Sequence, residues 1–188
     1  MEFTPFTFES PIEWGRIVLR PMIASDLEAV HGWMSDEEVV RYQLYEPRTL
    51  EQVADRLEEY SQAVRLEKDN DYIQPAIVVD GTVVGLIYFK ILSLDDLTGE
   101  IGWALARGHH GKGFAFEAAT ATLDLAFKVM GLHRVFAELD PRNESSIALC
   151  TRLGMREEAR FIENLMFKGA WADTGIYGIL DREWQARL

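Results

Sequence analysis

A single cysteine, Cys150, stands among 188 residues, so no internal disulfide can form and a reducing compartment is expected. Apolar runs are short, and none approaches the roughly 18 residues that suggest a membrane span. The opening MEFTPFTFESP has neither a basic start nor a long apolar stretch, which argues against a secretory signal. Cationic residues are scarce, with 19 Lys plus Arg against 31 Asp plus Glu and a formal net charge of -12. Such a chain repels a phosphate backbone, so nucleic acid is not expected as its main partner. Of the histidines, His109 and His110 are adjacent while His31 and His133 are isolated, and no metal-ligand spacing exists. The expectation is a cytoplasmic protein with no membrane association and no metal.

What is present is globular composition, 48% hydrophobic and 27% charged. The length fits one domain over 1–188. RIVLRP (16–21) reads as a strand, and Ser25 with Glu28 as a capping box for a helix reaching Met34. Residues 36–48 look irregular. Leu50, Val53, Leu57, Tyr60 and Val64 recur at helical spacing, with Asn70 and Asp71 closing that segment. PAIVV-DG-TVVGLIYFKIL (75–92) is a hairpin turning at Asp80-Gly81. A further strand (99–106) enters a glycine-punctuated loop (107–115), then a helix with the stripe Phe116, Ala119, Leu123, Phe127 and Met130, stopped at Gly131. A strand at 134–140, a helix from Asn143 to Leu153 and a hairpin turning at Lys168-Gly169 complete the order β-α-α-β-β-β-α-β-α-β-β. That order predicts a mixed α/β fold, one central sheet of about seven strands with helices on both faces.

The loop before the third predicted helix carries the chemistry. Strand, glycine turn and helix start make an anion site, because the first N–H groups of a helix have no internal partner and the dipole adds positive charge there. Gly111 and Gly113 let the backbone approach a diphosphate, Ala115 keeps the first turn uncrowded, and Lys112 adds a cation. The spacing fits neither a P-loop nor a dinucleotide-binding fingerprint. An ordinary strand-to-helix turn would also account for it.

EIGWALARGHHGKGFAFEAATATLDLAF (100–127) followed by LDPRNESSIALCTRLGM (139–155) resembles the GCN5-related N-acetyltransferase (GNAT) superfamily, and within it the RimJ/RimL-type branch. That superfamily's phosphate signature is Gln or Arg, two residues, Gly, one residue, then Gly or Ala. Here it reads His110-Gly111-Lys112-Gly113-Phe114-Ala115, with His110 replacing the usual Gln or Arg. The resemblance implies that acetyl-CoA is the co-substrate, held at residues 110–115. It also implies that Trp103, Ala104 and Leu105 offer backbone to the pantetheine arm, one N–H stabilising the thioester oxygen. Glu100 is then the general base, and Asn143 and Ser146 lie beside the cofactor sulfur, with Ser146 protonating the departing thiolate. Asn143 with Ser146 is equally the chemistry of a plain helix start, and Glu100 could be an ordinary solvated strand residue. A tyrosine acid common in the superfamily falls at Cys150 here, leaving Ser146, Cys150 or water as the acid.

The implied reaction is direct attack of a primary amine on the thioester in a ternary complex. At pH 7 a lysine amine is neutral roughly one time in 2,500 and an α-amine roughly one time in ten. A modest base therefore favours a protein or peptide N-terminus, with a small amine such as a polyamine or antibiotic as the alternative acceptor. A GNAT-fold acyl-CoA-binding module without turnover is the other reading. The segment around Tyr42, Tyr45 and Glu46 is expected to form the substrate wall, and a homodimer is the assembly considered.

Overall fold

The computed structural model describes residues 3–187. Three short strands come first: β1 (Phe6–Thr7), β2 (Ile12–Trp14) and β3 (Ile17–Arg20). The Ser25/Glu28 box does not form. Asp26 takes that place: its carboxylate accepts the Ile23 N–H at 2.9 Å and holds Arg20 through bonds of 2.7 and 2.8 Å. A charged acceptor with a guanidinium partner outcompetes a hydroxyl for the same N–H. Helix α1 (Leu27–Met34) follows, then a single turn, α2 (Glu37–Val40), in the stretch expected to be irregular. Asp36 caps it through the Glu38 N–H at 2.9 Å.

Helix α3 (Leu50–Gln62) begins with a reciprocal Thr49–Gln52 capping box. It ends eight residues before Asn70, because Ala63 leaves the helical region (φ -81, ψ 76). Val64 is therefore outside the helix, and β4 (Arg65–Leu66) and β5 (Tyr72–Ile73) fill the interval. The hairpin of β6 (Ala76–Val79) and β7 (Thr82–Ser93) turns as predicted, with Asp80 and Gly81 both at positive φ (49 and 77). Then come β8 (Thr98–Leu105), α4 (Phe114–Asp124) running into a π-helical turn over Leu125–Val129, β9 (Arg134–Leu139), α5 (Glu144–Leu153), β10 (Arg156–Phe167), β11 (Ala170–Leu180) and α6 (Asp181–Gln185).

The large sheet has nine strands in the order β10-β11-β9-β8-β7-β6-β3-β2, with β5 also on β7. That exceeds the seven expected because the extra strands are two- and three-residue pieces, too short to leave a periodic signal. Every pairing in it is antiparallel except β8 with β9. Each sheet face carries its own core. One packs Ile87, Phe89 and Ile101 against Ala119, Leu123 and Phe127 of the α4 region. The other packs Leu86 and Val78 under Trp33, Val53 and Leu57 of α1 and α3. Side chains this large contribute roughly 1.5–3 kcal/mol each on full burial. The two faces are thus rigid floors for whatever lies between strands. No helix among the described residues is long and apolar enough to cross a membrane.

Candidate active site

Strand β8 pairs with β7 along its whole length, from Leu105 opposite Gly85 to Thr98 opposite Ser93. With β9 it pairs only at Thr98, Glu100 and the glycine between them. Beyond Glu100 the two strands part, and among the described residues the β8 backbone from Ile101 to Leu105 has no strand beside it on that edge. Such an edge offers alternating N–H and C=O groups to an extended ligand. It opens on a cleft of about 590 Å³.

Every residue expected to hold the co-substrate lines this cleft except Lys112. Trp103, Ala104 and Leu105 form its strand wall, and His110, Gly111, Gly113, Phe114 and Ala115 its glycine loop and helix start. Gly111 and Gly113 both sit at positive φ (72 and 88), and Gly113 is the N-cap of α4 with no side-chain cap. The first amides of α4 therefore keep their anion-binding character. The His110 imidazole bonds the Leu105 carbonyl at 2.8 Å, which assigns its proton to Nε2. His110 thus ties the loop to the end of β8, using its ring within the fold. Lys112 is exposed; the cations that line the cleft are Arg41, Arg107 and Arg152.

Arg16 is a part of this site that no local pattern announced. Its guanidinium pairs with the Glu117 carboxylate, donates to the Lys112 carbonyl at 2.7 Å and lies over the Phe114 ring at 4.8 Å. Its own N–H reaches Glu117 at 2.8 Å. Burial alone would raise the Glu117 carboxyl, but the hydrogen bonds from Arg16 outweigh it and hold the group below the usual carboxylate range. A Cβ on Gly113 would stand 3.2 Å from the Arg16 guanidinium. The β2–β3 turn therefore clasps the glycine loop from outside. The partners lie 101 residues apart in sequence, which is why spacing gave no sign of them.

Across the cleft, the Asn143 side chain caps α5, accepting the Ser146 N–H at 3.2 Å and the Ser145 hydroxyl at 2.8 Å. The Trp103 indole N–H donates to the Ser146 oxygen at 3.3 Å, bridging β8 and α5 over the gap. Ser146 accepts that bond, so its own proton stays free to donate. Cys150, one turn on, is fully buried, and burial pushes its thiol up to about 12. It does not reach the cleft.

Glu100 lies elsewhere. Strand alternation puts it with Gly102 and Ala104 on the α1/α3 face, whereas Ile101 and Trp103 belong to the α4/α5 side. It is half-buried opposite Lys90. Burial, then the neighbouring Glu138 carboxylate, raises its pKa, and Lys90 acts against them. The Tyr88 hydroxyl is pushed up to about 12, by burial first and then by Glu100. Tyr88 and Lys90 also border a second cleft of about 470 Å³ with Tyr45, Arg48, Glu59 and Tyr72. The expected substrate wall is therefore divided. Tyr42 lines the first cleft, Tyr45 the second, and Glu46 is exposed with Lys168 3.7 Å away.

Comparison with known proteins fits this geometry. Residues 16–156 match the family described as acetyltransferase (GNAT) domain. The chain is 31% identical over 169 residues to the uncharacterized N-acetyltransferase YnaD of Bacillus subtilis (strain 168), covering 90% of this chain and 96% of that protein. A crystal structure of a GNAT-family acetyltransferase from Bacillus anthracis superposes with a TM-score of 0.82 at 31% identity, over 92% of this chain and 99% of that one. A spermidine N(1)-acetyltransferase of Vibrio cholerae is 24% identical over 92% of this chain and 97% of its own length. RimL, solved with coenzyme A, shares the fold with a TM-score of 0.79 but only 14% identity, over 91% of this chain and 98% of RimL. That identity shows the shared fold alone and leaves the narrower RimJ/RimL-type assignment undecided. A chain that parts its central strands over a glycine-loop helix start, and matches these proteins along most of its length, belongs to the GNAT family of N-acetyltransferases.

Proposed function

We propose that the protein is an acetyl-CoA-dependent N-acetyltransferase acting on a primary amine by direct attack in a ternary complex. The observation that carries this is the parting of β8 from β9 beyond Glu100, which leaves backbone donors aimed into a cleft that ends at the α4 N-terminus. In this reading the amides of Gly113 to Ala115 hold the pyrophosphate, and the free edge of Trp103, Ala104 and Leu105 holds the pantetheine arm. One β8 N–H stabilises the developing oxyanion, the kind of contact worth roughly 2.7–4 kcal/mol in acyl transfer.

The acid and base stand on opposite sides of the gap. An amine arriving over the α1/α3 face forms the C–N bond and gives up a proton to Glu100, directly or through water. The C–S bond breaks toward α5, where Asn143 orders the helix start and Ser146 donates to the departing thiolate. A thiol pKa near 8.5 makes that protonation undemanding. The acceptor is a peptide or protein α-amine, with a polyamine as second reading, supported by the spermidine acetyltransferase relative. The proposal extends to one domain over 1–188, a cytoplasmic location, kinship with the RimJ/RimL-type branch, and no nucleic-acid partner. Homodimer formation is supported by the exposed Phe161, Ile162, Met166 and Trp171 of the β10–β11 hairpin.

The test is thiol release from acetyl-CoA with short peptides, spermidine and aminoglycosides as acceptors. Amine-dependent release is expected. Tight acetyl-CoA binding with no release for any amine would mark a binding module instead.

A further inference from the structure

The second cleft carries chemistry that the net charge of the chain did not foretell. Arg48 lies over the Tyr45 ring at 4.4 Å, and Lys90 stands on β7 directly opposite Glu100. Neither is ion-paired with a carboxylate among the described residues, in a chain with 31 acidic side chains. The one carboxylate bordering this cleft is already engaged: Glu59 takes Arg56 on one oxygen at 2.6 Å and the Tyr72 hydroxyl on the other. Tyr72 and Tyr88, with ring centroids 6.3 Å apart, line the same cleft as these two cations. On the other side of Glu100, β9 brings Glu138 close enough to act on its charge. The α1/α3 face therefore runs from acidic at β8 and β9 to cationic and aromatic at β7 and β5.

Resting on the reading that an amine reaches Glu100 from this face, we infer that the second cleft is the distal acceptor subsite. It selects a primary amine carrying an anionic group, a carboxylate or a phosphate, held by Lys90 and Arg48. Lys90 stands one strand from Glu100, about 4.8 Å away at the backbone, so the anion should lie at least that far from the amine. A polyamine would place its second cation against Arg48 and Lys90 and be rejected by like-charge repulsion.

The experiment compares acceptors matched in length. Tripeptide amides ending in Glu, Gln or Lys form one series, and 6-aminohexyl phosphate against 6-aminohexanol forms the other, so that the two series tell carboxylate from phosphate. The anionic member should be preferred in kcat/KM by about tenfold, as expected of one or two charge-assisted hydrogen bonds. Arg48→Met and Lys90→Met should each lower that preference severalfold through KM, and Lys90→Glu should shift it toward the lysine peptide. Calorimetric binding of the same amines to the coenzyme A complex should rank them identically without requiring turnover. A preference near one, a preference for spermidine, or ratios unmoved by both substitutions would overturn the inference. If no amine releases thiol, the proposed activity fails, and the calorimetric ranking still decides this inference on its own.

Discussion

The two clefts are made of different materials. The first is built from backbone: an unpaired strand edge, two glycines at positive φ and the start of a helix. The second is built from side chains, with Arg48, Lys90 and several tyrosines over a continuous sheet. Main-chain groups recognise what all members of a ligand class share, which in the proposed reading is phosphate oxygens and an extended arm. Side chains discriminate, because each can be exchanged without disturbing the fold. On the reading proposed above, the common co-substrate belongs to the first cleft and acceptor choice to the second.

The largest expected effects test whether the gap between the clefts is where chemistry happens. Glu100→Gln and Ser146→Ala should each lower kcat by roughly 10²–10⁴-fold while leaving acetyl-CoA affinity nearly intact. Because burial and Glu138 raise the Glu100 pKa, kcat/KM should climb with pH through an ionisation above the ordinary carboxylate value of about 4.3. An α-amine would add its own rise near 7.7–8.0. Glu100→Gln should erase the lower step alone; a profile that keeps it would remove Glu100 as the base.

Next in size is Gly113→Val, which strains a φ of 88 and crowds Arg16 at 3.2 Å. Acetyl-CoA should bind at least tenfold more weakly, about 1.4 kcal/mol, by calorimetry on the folded variant. Unchanged affinity would mean that the phosphates sit elsewhere. Arg16→Met should cost less, a few-fold in the same measurement, because it loosens the loop without altering its amides. The partner change, Glu117→Gln, carries a pH signature. The Glu117 pKa is held below its unfolded value, so its contribution to stability is present above about pH 4.3 and lost as pH falls through the folded pKa. Denaturation curves of wild type and variant should therefore converge in acid. The smallest effect on turnover is expected from Cys150→Ser, which buries a hydroxyl and should cost roughly 1–3 kcal/mol of stability while leaving kcat per folded molecule unchanged. A loss of kcat with stability intact would transfer the acid role to Cys150.

The same division between backbone and side chains explains what could be read ahead of the structure. Asp80-Gly81 and Lys168-Gly169 announce hairpins because the twist of paired strands demands positive φ at both residues, and all four have it. Gly111, Gly113, Asn143 and Ser146 were legible for the same reason, since caps and tight turns are local events. The strands β1, β2, β4 and β5 were not, each being two or three residues whose only justification is a distant partner. Likewise Arg16 has meaning only once Glu117 is beside it, and Arg48 and Lys90 gain theirs from bordering one cleft with no ion-pair partner among the described residues. Charge counted along the chain gives a single negative sign; charge placed in space divides the α1/α3 face in two.

The short junction between β8 and β9 has a consequence for endurance. Among the described residues, only the Thr98, Gly99 and Glu100 positions tie the β2-β3-β6-β7-β8 half of the sheet to the β9-β11-β10 half by strand pairing. A pantetheine arm bonded along the bare edge of β8 would act as a surrogate strand, completing a seam that the polypeptide leaves open. Mass action then adds about 2.7 kcal/mol of resistance to unfolding when the ligand stands at 100 times its Kd. The lifetime of the folded chain in a cell would follow the supply of acyl donor, and starvation for it would show first as accelerated turnover of the protein itself.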